Sequence, residues 1–194
     1  MKKFLFVVLL FLFSCSSGGF NVKKESEFFN IKFYIFVTKY DDVFKGKGEG
    51  VLSEKEFFCN INDLLLNKKV VSMLFDKDGL KAYVYTQEIG YLVNSSFIGE
   101  FFSKDFFYLF KSGEISLEKN FTELQTDYNL KAEVNKTQNG FPKRISFEIS
   151  SSEEKVNIII DIYELSDKSY NFKFDIDISE FYKYNIFEFF RSIQ

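Results

Sequence analysis

Apolar residues fall on every second position through most of the chain beyond residue 30. In 31–38, Ile31, Phe33, Ile35 and Val37 alternate with Lys32, Tyr34, Phe36 and Thr38, the period of a strand with one buried face. Similar runs occupy 55–61, 69–75, 80–86, 128–134, 143–149, 155–163 and 171–178. The clearest carry Ile145, Phe147 and Ile149, and Phe172, Phe174, Ile176 and Ile178. Between the runs stand turn sequences: Lys77-Asp78-Gly79, Gln138-Asn139-Gly140 and Ser150-Ser151-Ser152. Strands so closely spaced pair as antiparallel hairpins. Gly46, Gly48 and Gly50 alternate as well, and glycines inside a strand mark bulges or tight bends. A strongly curved antiparallel sheet is predicted.

Two segments leave this rhythm. Residues 95–113 offer Ser95 or Ser96 as an N-cap, Gly113 as a stop, and apolar side chains at 98, 102, 106, 109 and 110, which is helical spacing. The C-terminal SEFYKYNIFEFFRSIQ places Ile186, Phe190 and Ile193 on one side of a second helix, though its aromatic content also suits a strand. No internal repeat and no Pro/Gly-rich linker divides the chain.

The stretch INDLLLNKK, 61–69, sets three leucines between Asn62-Asp63 and Asn67-Lys68-Lys69. Asn and Asp favour turns because their side chains bond the local backbone. In a loop exposed to water, Leu64, Leu65 and Leu66 would each forgo roughly 1.5–3 kcal/mol of burial. Either they meet an apolar surface outside the domain or they fold back under a neighbouring helix.

The N-terminus names one such surface. Lys2 and Lys3 precede ten apolar residues, Phe4 to Phe13, and Ser14-Cys15 leads into a small-residue stretch. This is the order of a secretory signal, and the apolar run is shorter than the roughly 20 residues of a membrane span. Leu12-Phe13-Ser14-Cys15 resembles a bacterial lipobox. The resemblance implies that residues 1–14 are removed, that Cys15 is acylated, and that 15–30 tether the domain 31–194 to the lipid. Ser16, with no Asp beside the cysteine, is similar to the start of lipoproteins sent to the outer membrane. The alternative is an ordinary signal peptide with an incidental cysteine.

Losing two lysines and no acids would take the formal charge from −3 to −5. A weakly acidic chain lacks the basic footprint of a nucleic-acid partner. With 28 phenylalanines in the chain, 24 of them in the 180 residues left after processing, one sizeable core can be filled. Cys59 then has no partner for a disulfide within the chain. It shares a strand face with Phe57 and Ile61, the setting of a small buried hydrophobe.

Catalytic chemistry finds little support. The chain has no histidine, the commonest general base and metal ligand. Its GKGEG stretch lacks the Lys-Ser/Thr ending of a phosphate cradle. The acids mostly alternate along strands, and Asp41-Asp42 and Glu153-Glu154 are pairs without a third ligand. No catalytic residue, metal site or cofactor is assigned.

The order of elements resembles the LolA/LolB lipoprotein carriers, most closely the LolB branch. KEFFCNI, NDLLLN, KKVVSMLF, DKDGLKAYVYTQEIGYLV and SSFIGEFF follow one another as strand, protruding leucine turn, strand, hairpin and helix do there. NGFPKRISFEISSSEEKVNIIIDIYEL, with the only proline, Pro142, resembles the later hairpin. Residues beyond 165 exceed the LolB pattern and look more like the terminal strand and tail of LolA. The resemblance implies an α+β fold: a curved antiparallel sheet forming an unclosed β-barrel, with one or two helices packed in or over its concave face. It implies an outer-membrane lipoprotein that is not an enzyme. Its partners would be the membrane, lipoproteins or lipid acyl chains held in an apolar cavity, and a periplasmic carrier as donor. Leu65 matches the family's protruding leucine, with Leu64 and Leu66 extending it. The alternative from another class is a lipid-anchored envelope or surface protein that docks a protein partner without carrier activity.

Overall fold

The computed structural model of the protein describes residues 20–21, 26–40, 42–123, 126–168 and 181–193. The expected run at 171–178 and Cys15 lie outside these residues. The expected alternation builds one sheet. Its strands are β1 (Phe20–Asn21), β2 (Phe28–Lys39), β3 (Asp42–Ser53), β4 (Phe57–Asp63), β5 (Lys69–Asp76), β6 (Gly79–Val84), β7 (Ile89–Val93), β8 (Ser116–Glu123), β9 (Thr126–Gln138), β10 (Phe141–Ser150), β11 (Lys155–Ser166) and β12 (Phe181–Lys183). They run side by side as β12-β7-β6-β5-β4-β3-β2-β11-β10-β9-β8. Every pairing is antiparallel except β12 on β7 and β1 on the end of β11. The sheet curls without closing, because β12 and β8 each end the order.

Curvature follows from the glycines of β3. A Cβ on Gly48 would stand 2.4 Å from the Phe33 ring, and one on Gly46 would stand 2.6 Å from Ile61 Cγ2. With no side chain there, the neighbouring strands can bend inward and their large residues fill the concave face.

That face is occupied by the expected helix. Ser95 caps it, its Oγ accepting from the Ile98 N–H at 3.4 Å, and Gly113 ends it at φ 74°. Between α1 (Ser96–Glu100) and α2 (Phe106–Ser112), residues Phe101–Asp105 form a π-turn. The extra residue of such a turn lets Phe101, Phe102, Phe106, Phe107, Leu109 and Phe110 all be buried. Phe147 of β10 packs against Phe102 and Phe106 at 5.3 and 5.1 Å, and Phe29 of β2 packs against Phe107 and Phe110, both at 5.4 Å. The concave face is therefore filled by rings along this helix.

The C-terminal segment is both strand and helix: β12 (Phe181–Lys183) is followed by a second helix, α3 (Ile186–Ser192). Asn185 and Glu188 form a reciprocal capping box with both bonds at 2.9 Å, and Ile186, Phe190 and Ile193 are buried as their spacing predicts. The sheet also begins earlier than residue 31. β2 starts at Phe28, and Phe20 is buried where β1 pairs Leu165 of β11.

Candidate functional site

The leucines stand at the tip of the β4–β5 hairpin. The register slips between Ile61 and Asn62, and Asp63 then organises the turn. Its Oδ1 accepts the N–H of Leu65 at 2.8 Å and of Leu66 at 2.6 Å. The Asn67 N–H bonds the Asp63 carbonyl at 3.0 Å, and the Asp63 N–H bonds the Lys68 carbonyl at 2.8 Å. Asn67 takes the left-handed φ of 53° that its side chain tolerates. With the backbone donors of 65, 66 and 67 used internally, the turn can enter an apolar phase without stripping those groups of water. Leu64, Leu65 and Leu66 are 40%, 91% and 71% exposed. They do not fold under a helix.

Sequence reasoning missed the neighbouring tip. Because Gly46 pairs Asp63, residues 43–45 of β3 run beside the leucine turn. Val43 is 51% exposed, and Tyr40, at φ 54° in the β2–β3 turn, is 70% exposed. The same end holds a buried cation. Lys39 sits in the inward register of β2, its Nζ 3.2 Å from Glu154 Oε1 and 5.6 Å from the centroids of the Tyr40 and Phe187 rings. Glu154 also binds Arg191 of α3. Burial alone would raise the Glu154 carboxyl, but the hydrogen bonds from Arg191 and Lys39 outweigh it, and the group titrates below its ordinary value.

The open seam between β12/β7 and β8/β9 carries a cleft of about 420 Å³. Leu92, Val93, Ile98, Tyr128, Tyr184 and Ile186 give it apolar walls, and Lys183 and Glu188 stand among its polar groups. Rings bridge the seam on both sides. Phe97 stacks on Phe121 of β8 at 5.0 Å, and Phe187 and Phe189 of α3 meet Tyr128 of β9 and Tyr91 of β7 at 5.8 and 5.7 Å.

Among the described residues, no group of three His, Cys, Asp or Glu is placed to hold a metal ion. Cys59 is buried in the core, and burial pushes its thiol far above the ordinary range. No described helix is long and apolar enough to cross a membrane.

No family model matches the chain, and no curated protein matches it. Among solved structures it is similar to a LolA superfamily protein from Nitrosomonas europaea, with a TM-score of 0.45 and 11% identity over 76% of this chain and 89% of that one. A DUF1329 family protein from Desulfovibrio piger aligns with a TM-score of 0.42 and 8% identity over 80% of this chain and 88% of that one. Neither likeness is close enough to transfer a function.

Proposed function

We propose that this protein is an outer-membrane lipoprotein, anchored through Cys15, that binds acyl chains or lipidated proteins and helps place them in the bilayer. The observation that carries the reading is the leucine turn. Three large apolar side chains are held outward by a turn whose backbone donors at 65, 66 and 67 are already satisfied, so contact with acyl chains would recover roughly 1.5–3 kcal/mol for each one buried. The seam cleft is the apolar surface open to an incoming chain, and the filled concave face becomes available only if the helix 96–112 gives way. Transfer then needs no cofactor and no covalent step.

Replacing Leu64, Leu65 and Leu66 together by Asp tests this. Liposome binding and uptake of a fluorescent acyl probe should both fall steeply while the unfolding midpoint stays put, since surface changes rarely move stability by more than about 0.5 kcal/mol. Unchanged binding and uptake would sink the reading. The filled concave face supports a second one, in which the leucine turn docks a single envelope protein. Crosslinking in cells separates the two, because a carrier touches many lipoproteins and a docking protein touches one constant partner.

A further inference from the structure

We infer that the outer face of the sheet carries a binding site for a neutral sugar, in a cleft beside the leucine turn. The site goes beyond the acyl-chain reading and does not depend on it. The cleft crosses β11, β2, β3 and β4, measures about 400 Å³, and every side chain lining it ends in a polar group. Small-ligand sites begin at about 300 Å³, so a sugar ring has room. A strand irregularity builds one wall. The register of β11 on β2 slips between Ile162 and Glu164, and the extra residue turns both Tyr163 and Glu164 away from the core that Ile162 and Leu165 enter. Bulges re-aim side chains in this way beside functional sites. The opposite wall is β4, where Asn60 and Asn62 take outward positions that strands seldom give to asparagine. Asn60 is held from behind. Its Oδ1 accepts from Ser72 Oγ at 2.5 Å, and Ser72, itself buried, also meets the Tyr85 hydroxyl at 3.1 Å. The amide hydrogens of Asn60 therefore remain for the cleft.

Glu49 and Asn62 are half-buried in the cleft, and neither side chain has a hydrogen bond or ion pair among the described residues. Leaving such groups unpaired costs free energy that a ligand supplying the missing bonds would recover. Charge narrows what that ligand is. Lys32 pairs with Glu164 at 2.9 Å, and Lys47 and Glu49 stand two residues apart on the same face of β3, so two lysines meet two carboxylates and the cleft has no net charge. Lys47 also lies over the Tyr163 ring, 5.5 Å from its centroid. A phosphate is not selected, and an acyl chain finds no apolar wall. The ligand that fits is dense in neutral groups that both donate and accept, and the hydroxyls of a pyranose are that chemistry. Asn67, at the foot of the leucine turn, lines the same cleft. A glycolipid would set its head here with its chains on the leucines, whereas a free glycan would use the cleft alone.

Saturation-transfer NMR on the full chain carrying Cys15→Ser tests the site, with methyl glucoside, methyl galactoside and N-acetylglucosamine as probes and glucose 6-phosphate and triglycine as controls. Signal should pass from the protein to at least one of the neutral sugars. Affinity for that sugar should fall roughly tenfold in Glu49→Gln and in Asn62→Ala. Asn157→Ala, exposed on β11 away from the cleft, should change nothing. Transfer to none of the three sugars, stronger transfer to the phosphate or the peptide, or binding that both cleft variants retain would overturn the site. Flotation with phosphatidylcholine vesicles, with and without a diacylglycerol bearing the sugar that binds, then separates the two sources. More protein on the glycolipid vesicles assigns a lipid head, and equal amounts assign a free glycan. The chain with Leu64, Leu65 and Leu66 replaced by Asp should keep its sugar signal. If its binding to vesicles is also unchanged, the acyl-chain reading fails and the cleft stands.

Discussion

Lys39 occupies a position that the strand pattern reserves for apolar side chains, following Ile35 and Val37 on the inward face of β2. It is tolerated because Glu154 accepts from it and two rings, Tyr40 and Phe187, face its charge. Removing the carboxylate leaves a buried cation uncompensated, and Glu154→Ala should cost about 3–5 kcal/mol in urea unfolding. Lys39→Met removes the charge at similar volume and should cost far less, or nothing. The sign of the pH effect is set by the same contacts. A carboxyl held below its ordinary value of 4.5 contributes stability that is present above that pH and is lost as pH falls through the lowered value. Acid unfolding of Glu154→Gln should therefore be less steep than that of the parent chain. Cys59 makes a simpler case. Its buried thiol resists ionisation, and only the thiolate reacts. In a Cys15→Ser chain, a thiol reagent should label Cys59 at the rate of unfolding, and rapid labelling of the native protein would show the core to be open.

The helix 96–112 shows how an element is tied to its sheet. Gly99 faces the β5–β6 turn so closely that a Cβ there would stand 1.8 Å from the Asp76 carbonyl oxygen. On propensity alone Gly99→Ala should stabilise α1 by about 1 kcal/mol. The contact reverses that sign, because backbone cannot yield as a flexible side chain does. Thermal unfolding of Gly99→Ala should show a lower Tm, and acyl-probe uptake measured alongside it reports whether a loosened helix admits ligand. This helix was legible in the sequence because Ser95, Gly113 and the spacing from Ile98 to Phe110 agree. The π-turn was not, since no residue type encodes it. Strands with clean alternation were legible too, whereas β8 reads SLEKNFTE and offers too few apolar positions. β12 pairs with β7 in parallel from about ninety residues away, a partnership that local pattern cannot contain. The candidate site divides in the same way. The leucine turn is written in nine consecutive residues, but Val43 and Lys45 join it through strand register, and the seam cleft gathers side chains from β7, α1, β9 and α3.

At the scale of the whole molecule, an unclosed sheet exposes two edges to pairing with another copy. The β12 edge is short at three residues. The β8 edge is longer, at eight, and is protected by its side chains. Glu118 and Asn120 lie on its exposed outer side, each accepting from Asn129 of β9 at 2.7 and 2.8 Å, and Lys119 is held to Asp105 at 2.6 Å. Polar and charged groups on an edge disfavour a second strand, because docking would strip them of water or set like charges together. The seam needs this protection if it is to stay accessible, because strand pairing across it would bury the rim of the cleft. Replacing Glu118 and Asn120 together by Val raises β propensity and removes the polar guard while leaving the inward face, with Leu117 and Phe121, untouched. The doubly substituted chain should fold and then self-associate, with a weight-average mass in analytical ultracentrifugation that climbs with concentration while the parent stays constant. If the variant's mass changes with concentration no more than the parent's, the polar residues are not what guards β8, and the ring contact of Phe97 on Phe121 becomes the next feature to test by Phe97→Ser.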